Sequence, residues 1–298
     1  MIVDVVAPAS ACSWEQLKSG LAVLRSWGFE PRVPADLFGE KGIVANDDTR
    51  RWQHLRHALM ASDSDVVWAV RGGYGAMRLL PRLGRFERPA KRKLLVGFSD
   101  ITALQMHLTE RWGWSVLHGP MVGALGSQSL SARAKREVRR LVAATDRPSC
   151  VYAGLRPLNA PARVDRLVAG KLVGGNLKTL QSLLGTPWGR IGSQRILFVE
   201  DRGERGYAID RMLVQMRLAG FFRGLRAMIF GSFDGGLEPD GRFTGDAVIA
   251  DFARAAKFPV FRGLSVGHHD TTRSLPLGVR AELALGSRGR LVIPADWR

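Results

Sequence analysis

A serine stands at the junction of a predicted strand and a predicted helix. The apolar run 93–98 predicts a strand and the stretch 100–112 predicts a helix, which leaves Ser99 on the turn between them. Such a turn exposes the serine Oγ at the carboxyl edge of a sheet and directs the next backbone N–H, that of Asp100, to the same place. Ser99 is therefore a candidate nucleophile. A plain helix N-cap is the alternative, and the missing second glycine of G-x-S-x-G disfavours an ordinary α/β-hydrolase.

A glycine-rich loop follows another predicted strand. The strand covers residues 65–70, and Gly72, Gly73 and Gly75 come before a helix that begins near Ala76. Glycines in such a loop let backbone N–H groups approach a ligand closely, although the loop lacks the spacing of either phosphate-binding motif. A tight turn without a ligand is the alternative. Loops that follow neighbouring parallel strands converge on one crevice, so we expect this loop to lie near Ser99.

One carboxylate prolongs the apolar face of a predicted strand. Alternation along residues 195–201 places Glu200 on the same face as Ile196 and Phe198. A carboxylate in that position needs a partner, and a histidine N–H is a suitable one. Pairing with Arg202 or Arg205 is the alternative.

Two of the six histidines stand in a predicted loop between β-like segments. His268 and His269 follow Gly267 there, where a partly exposed base can reach a substrate. His54 and His57 lie three residues apart on a predicted helix. They have no third ligand nearby, so we expect no metal site.

The first half of the chain alternates short β-rich runs with amphipathic stretches. This alternation predicts an open parallel sheet covered by helices on both faces. Ser13 with Gln16 three residues later has the pattern of a capping box at the start of a helix. The predicted strands are 2–7, 29–33, 65–70 and 93–98, and the predicted helices are 13–27, 49–60 and 100–112.

Hydrophobic periodicity fades between about residues 145 and 163, where three prolines occur. We place the domain boundary there and assign residues 1–150 to one domain and 151–298 to another. The second half predicts a mixed α/β domain. Its predicted strands are 163–168, 195–200, 227–230 and 280–285, and its predicted helices are 176–184, 208–218 and 246–256.

The net charge is strongly positive, at +17, with 36 Arg against 8 Lys. A nucleic-acid-binding face would concentrate these charges, whereas the arginines are spread along the chain. The densest run, 133–140, has the spacing of an amphipathic helix. We therefore expect a solvated basic surface rather than a nucleic-acid site.

The composition also limits which classes of protein this chain can belong to. The chain has 298 residues, of which 46% are hydrophobic, enough for a substantial core and two domains. Only two cysteines occur, Cys12 and Cys150, which excludes a disulfide framework and a zinc site. No apolar run approaches the ~20 residues of a membrane-spanning helix. We expect a soluble cytoplasmic protein with reduced thiols and no membrane association.

Taken together and in order, these motifs resemble the LD-carboxypeptidase family of serine peptidases, including the branch that confers immunity to microcin C. The matching segments span nearly the whole chain. They are Arg71-Gly-Gly-Tyr-Gly-Ala, Arg78-Leu-Leu-Pro81, Gly97-Phe-Ser-Asp-Ile-Thr-Ala-Leu104, His118-Gly-Pro-Met121, Gly174-Gly-Asn-Leu177, Gly185-Thr-Pro187, Glu200-Asp201, Ile209-Asp-Arg-Met-Leu213, Gly267-His268 and Leu275-Pro-Leu-Gly278.

The resemblance implies a catalytic triad of Ser99, Glu200 and His268. Backbone N–H groups of Asp100 and of Gly73 or Gly72 would form the oxyanion hole. It also implies an N-terminal domain like that of class I glutamine amidotransferases, a smaller swivelling α/β C-terminal domain, a homodimer and no cofactor. The implied reaction releases terminal D-alanine from peptidoglycan-derived tetrapeptides, cleaving the bond that follows the L-centre of a diamino acid.

The chain departs from the family pattern in two places. Phe98 replaces the usual tyrosine, and the segment from Arg202 to Tyr207 replaces a Pro-Tyr-rich stretch after the glutamate. The first change leaves the chemistry intact, whereas the second alters substrate contacts.

Four further residues are candidates for binding the substrate. Arg71 adjoins the glycine loop and could bind the terminal carboxylate, or else hold the loop by pairing with a carboxylate of the protein. Tyr74, Arg205 and Trp188 are the others. If the substrate is instead a peptidyl-adenylate, Trp188 could stack on the base. A nucleic-acid-binding protein on an inactive scaffold is a third hypothesis, which the intact Ser, Glu and His disfavour.

Overall fold

Short strands and helices alternate through the first half of the chain in the computed structural model, which describes residues 1–40, 42–144 and 146–297. The strands are β1 (Ile2–Val6), β2 (Glu30–Arg32), β3 (Val66–Ala69), β4 (Leu94–Gly97) and β5 (Val116–His118). The helices are α1 (Trp14–Ser26), α2 (Asp48–Met60), α3 (Leu80–Leu83), α4 (Thr102–His107), α5 (Val122–Leu125) and α6 (Ala132–Ala143). The expected α/β alternation is therefore present.

The five strands form a parallel sheet in the order β5-β4-β3-β1-β2, and the short strand β11 (Leu275–Leu277) extends it beyond β5. Every residue of β3 and β4 is buried, as expected for interior strands covered on both faces. The predicted capping box begins α1, since Ser13 Oγ accepts from the Gln16 N–H and Gln16 Oε1 accepts from the Ser13 N–H, each at 3.1 Å. Local sequence and burial thus agree in this half of the chain.

A seven-stranded closed barrel forms the second half, in the order β10-β6-β13-β12-β7-β8-β9. Its strands are β6 (Cys150–Pro157), β7 (Leu167–Asn176), β8 (Arg195–Arg202), β9 (Ala227–Asp234), β10 (Val260–Arg262), β12 (Val279–Ala284) and β13 (Gly289–Ile293). Its helices are α7 (Leu177–Ser182), α8 (Gly206–Leu218) and α9 (Gly245–Ala255). Strands β7 to β10 run parallel, so the carboxyl ends of β8, β9 and β10 share one rim of the barrel.

Contacts divide the chain into two units of about equal length. One contains the described residues of 1–145 with Arg273–Leu275, and the other contains those of 146–272 and 276–298. The second domain is therefore not smaller than the first, contrary to our expectation. The barrel strands β6 and β7 extend the second unit over residues in which the sequence predicts little regular structure.

An ion pair fixes the segment 273–275 within the first unit. Arg273 Nη2 lies 2.7 Å from Glu137 Oε1, and the Ser274 N–H donates to Glu137 Oε2 at 3.0 Å.

Among the described helices, none is long and apolar enough to span a membrane.

Candidate active site

Ser99 lies on the turn that follows β4 and has an unusual backbone conformation. Its φ is +62°, in the left-handed region that costs an L residue free energy and that non-glycine residues rarely occupy. A single 3₁₀ turn, Ser99–Ile101, begins directly there and leads into α4. The same strained strand-to-helix turn exposes the nucleophile in other serine hydrolases. The left-handed backbone of Ser99 matches such a turn and differs from the extended conformation of an ordinary N-cap residue.

The glycine loop packs directly against this serine. A Cβ built on Gly72 would lie 2.9 Å from Ser99 Cβ and 3.1 Å from Ser99 Oγ, so only glycine leaves room for the serine side chain. Gly73 has φ +95°, and a Cβ there would lie 2.5 Å from Ser10 Oγ. The two loops meet because β3 and β4 are adjacent parallel strands. Backbone N–H groups of this loop can thus approach a group bound at Ser99.

The side chain of Asp100 connects the same two loops. Its Oδ2 accepts the Ala76 N–H at 2.7 Å. Burial raises the pKa of Asp100, and the Ala76 N–H and the Arg51 charge oppose that rise. Arg51 is itself buried and donates to the Gly75 carbonyl at 3.0 Å. The Asp100 backbone N–H stands in the first turn of a helix, where no intrahelical acceptor exists.

Glu200 and His268 form a buried hydrogen-bonded pair in the second unit. Glu200 stands near the end of β8 with no solvent exposure, and its Oε2 lies 2.7 Å from His268 Nδ1. The other oxygen, Oε1, is buried and makes no hydrogen bond within the described part of the chain. A Cβ on Gly267 would lie 1.9 Å from Ser232 Oγ and 3.3 Å from Glu200 Oε2. Glycine at 267 therefore lets the histidine loop approach the carboxylate.

The electrostatics of the pair favour the protonated imidazole. Burial lowers the pKa of His268, but the hydrogen bond to Glu200 and the charges of Glu200 and Asp201 outweigh it, so the pKa is raised above its ordinary value. The bond to Nδ1 fixes the ring orientation, so a proton exchanged with a reacting group would be carried by Nε2. The pair can act as a general base with an orienting carboxylate.

A second carboxylate, Asp201, stands beside the pair. Its Oδ1 accepts from Asn176 Nδ2 and its Oδ2 accepts from the Lys178 N–H, both at 2.8 Å. Burial, and then the charge of Glu200, raise the pKa of Asp201 to about 6. The parallel register pairs Asn176 with Glu200, which brings the β7 end to the same place. Sequence reasoning gave Asp201 no role, although the Gly-Gly-Asn segment before α7 was a usable signal.

The four candidate substrate-binding residues have different surroundings. Arg71 is exposed, donates to the Ala11 carbonyl at 3.1 Å and forms no ion pair with a described residue, so the alternative role of pairing with a protein carboxylate has no support among those residues. Tyr74 is 50% exposed, and its side chain forms a hydrogen bond with Arg78. Arg205 pairs with Glu238, with Nε at 2.8 Å from Oε2, and is already committed to a protein contact. Trp188 is half-buried, and its backbone N–H donates to Thr186 Oγ1 at 3.2 Å.

His269 and His54 each have a side-chain partner outside the proposed triad. His269 Nδ1 lies 2.9 Å from Thr271 Oγ1, and His54 Nε2 lies 2.9 Å from Asp36 Oδ1. In residues 1–40, 42–144 and 146–297, no group of three or more His, Cys, Asp or Glu side chains could hold a metal ion.

Comparison with known proteins gives a consistent family assignment. The model of the LD-carboxypeptidase N-terminal domain matches residues 3–119, and that of the C-terminal domain matches residues 169–283. The murein tetrapeptide carboxypeptidase of Pseudomonas aeruginosa is 32% identical over 94% of this chain and 92% of its own. A putative carboxypeptidase of Rickettsia conorii is 31% identical over 98% of this chain and 90% of its own.

Solved structures agree with that assignment. The muramoyltetrapeptide carboxypeptidase from Oxalobacter formigenes has a TM-score of 0.84 and 29% identity, covering 100% of this chain and 99% of its own. MccF in complex with glutamyl sulfamoyl guanosine has a TM-score of 0.81 at 18% identity, covering 98% of this chain and 95% of its own, a likeness of fold. The chain belongs to the LD-carboxypeptidase family of serine peptidases.

Proposed function

We propose that this protein is a serine LD-carboxypeptidase that releases terminal D-alanine from peptidoglycan-derived tetrapeptides. The names of the full-length relatives support the substrate class. The buried Glu200–His268 pair is the observation that carries the proposal, because a solvent-free carboxylate orienting an imidazole is the arrangement that activates a serine.

Each residue has one step in the proposed reaction. Ser99 Oγ attacks the carbonyl carbon of the L,D-amide while His268 Nε2 takes the hydroxyl proton. His268 returns that proton to the leaving amine of D-alanine, and water then hydrolyses the acyl-enzyme with His268 again as the base. Glu200 holds the ring in the useful tautomer and stabilises the imidazolium. The proposal thus takes the nucleophile from one unit and the base from the other.

The oxyanion would be stabilised by backbone donors beside Ser99. We assign this role to the N–H groups of Asp100 and of Gly73 or Gly72, which belong to the two loops that meet at the serine. Each such donor contributes roughly 3–4 kcal/mol to transition-state stabilisation in other hydrolases. Helical dipoles and a low local dielectric make such donors effective without a metal.

The test is direct detection of the product. We would incubate the protein with muropeptide tetrapeptides and pentapeptides and follow released D-alanine by mass spectrometry. Release from the tetrapeptide is expected, and it should disappear in Ser99→Ala but persist in Ser129→Ala, an exposed serine of the same unit. Intact tetrapeptide after prolonged incubation with the wild-type protein would contradict the proposal.

A peptidyl-adenylate is the second candidate substrate. The microcin C7 self-immunity protein MccF of Escherichia coli is 24% identical over 92% of this chain and 87% of its own, and Trp188 is partly exposed for stacking. Cleavage of a peptidyl-adenylate that Trp188→Ala weakens, without loss of tetrapeptide cleavage, would favour this substrate.

Three further assignments accompany the proposal. We propose that the parallel-sheet unit resembles class I glutamine amidotransferases, that the protein is a homodimer and that it acts in the cytoplasm. Light scattering coupled to size exclusion tests the dimer, and fractionation of cells tests the location.

A further inference from the structure

Arg51 is a buried cation that joins three loop segments beside the parallel sheet. Its side chain, on α2, has no solvent exposure. Nε donates to the Asn46 carbonyl at 3.0 Å, and Nη1 donates to the carbonyls of Pro8 and Gly75. Nη2 donates to Asp48 Oδ1 at 2.6 Å. A planar guanidinium can hold several acceptors in fixed directions at once, whereas a lysine ammonium is a point charge on a flexible stem.

The peptide unit between Gly75 and Ala76 is held from both sides by charged side chains. Arg51 Nη1 donates to its carbonyl at 3.0 Å, and Asp100 Oδ2 accepts its N–H at 2.7 Å. Hydrogen bonds to charged groups are about twice as strong as those between neutral groups. A Cβ on Gly75 would lie 2.5 Å from Val44 Cγ1, and the φ of +116° suits glycine. Two residues outside the glycine loop therefore fix its end.

The restraint on this peptide unit extends through the loop to the nucleophile. The Tyr74 N–H donates to Ser10 Oγ at 3.1 Å, and the Ser10 N–H donates to the Gly72 carbonyl at 3.1 Å. Gly72 in turn packs against Ser99. These contacts join neutral groups, and glycine leaves the backbone free to rotate. The charged contacts at the end of the loop therefore decide where its N–H groups lie.

We propose that Arg51 and Asp100 are positioning residues that set the distance between the two oxyanion donors. Asp100 supplies one donor through its backbone N–H, and its side chain holds the loop whose Gly73 or Gly72 N–H supplies the other. Arg51 holds the same peptide unit from the opposite side. The inference deepens the proposed function and, for its effect on catalysis, rests on it. A misplacement of about 1 Å can cost about 100-fold in rate, so loss of either side chain should lower kcat more than it changes KM.

Amide hydrogen exchange followed by NMR tests the restraint without any reaction. The reporter is the Tyr74 amide, which donates to Ser10 and to neither charged side chain. Asp100→Ala and Arg51→Lys should each speed its exchange by about 10-fold. Asp100→Asn should restore most of the protection, because its amide oxygen can still accept the Ala76 N–H. Arg50→Gln, which removes a half-exposed cation of α2 that pairs with Asp36, should leave the exchange unchanged. Unchanged Tyr74 exchange in both Asp100→Ala and Arg51→Lys would overturn the inference.

The kinetics of D-alanine release then tests the link to catalysis. Asp100→Ala and Arg51→Lys should lower kcat by about 10- to 100-fold and change KM by less than about 3-fold. Asp100→Asn should regain most of the activity that Asp100→Ala loses, and Arg50→Gln should turn over like the parent. Faster Tyr74 exchange with an unchanged kcat would refute the positioning role.

Two controls separate this inference from other failures. Melting temperatures within a few degrees of the parent would show that the variants fold. Asp100 is only part-buried, so the comparison of Asp100→Ala with Asp100→Asn decides the outcome even if Arg51→Lys unfolds. If the wild type releases no D-alanine, the proposed function fails, while the exchange rates still decide whether the two side chains hold the loop.

Discussion

Replacing Glu200 by glutamine should reverse the direction in which the protein shifts the pKa of His268. In the wild type, burial lowers this pKa and the Glu200 carboxylate more than compensates. The substitution keeps the size of the side chain and its burial but removes the charge that lies 2.7 Å from Nδ1. Burial then lowers the pKa of His268 and is opposed by the weaker effect of the Asp201 charge. The pKa should therefore move from above the ordinary value of about 6.5 to below it.

The magnitude follows from the separation and the burial. Two unit charges about 4 Å apart interact by about 4 kcal/mol at an effective dielectric constant of 20. His268 keeps 14% side-chain exposure, so solvent screens part of this interaction, and removal of the Glu200 charge should lower the pKa of His268 below its ordinary value. The amide can also donate to Nδ1 and hold the wrong tautomer, so kcat should fall by about 10⁴-fold.

Histidine NMR measures this shift without depending on turnover. The ring resonances of ¹⁵N-labelled wild type and Glu200→Gln would be followed from pH 4 to 9, with the His268 signal identified by its loss in His268→Ala. Glu282→Gln, the same change on β12 of the same barrel, should leave the titration unmoved. An unchanged or higher His268 pKa in Glu200→Gln would show that the carboxylate does not control the base.

Four further predictions concern the candidate site. Ser99→Ala should abolish hydrolysis of the tetrapeptide while shifting the melting temperature by only a few degrees, so residual turnover would reject the nucleophile. His268→Ala should cost about as much activity as Ser99→Ala because triad members act as a unit, whereas His269→Ala should cost little; the opposite order would exchange their roles. Since the base must be neutral, kcat/KM should fall as pH drops through a value above about 6.5, and a limb centred well below that value would contradict the raised pKa. Arg71→Met should depress cleavage of the free acid far more than that of the same peptide ending in an amide, and equal losses would make Arg71 a structural support.

The sequence predicts best where local periodicity and burial agree. The helix after Ser13 and the strand before Ser99 have short-range signals, a capping box and a continuous apolar run, and both elements occur with ends displaced by a residue or two. The strand β6 was missed because its burial alternates irregularly and Gly154 interrupts it. Its pairing with β10 and β13 joins segments far apart in the chain, which no local pattern encodes.

In the candidate site, too, some features were predictable from sequence motifs and others depend on long-range strand pairing. The order of the family motifs predicted that Glu200 and His268 act together. Their hydrogen bond also requires Gly267, which precedes the histidine in one of those motifs. The three-way contact of Asp201 with Asn176 and Lys178 depends on the register of β7 and β8. The register that places Arg156 of β6 opposite Arg262 of β10 is likewise not predictable from a single sequence.

The conformation of Ser99 also sets the thermodynamic cost of keeping the activity. A left-handed φ costs an L residue about 1–2 kcal/mol, and glycine escapes this cost while losing about 0.5–1 kcal/mol through the flexibility of its unfolded chain. Ser99→Gly would therefore tend to stabilise the fold while removing the nucleophile. The residue that the proposed chemistry requires at this position is therefore one that folding stability alone would not favour.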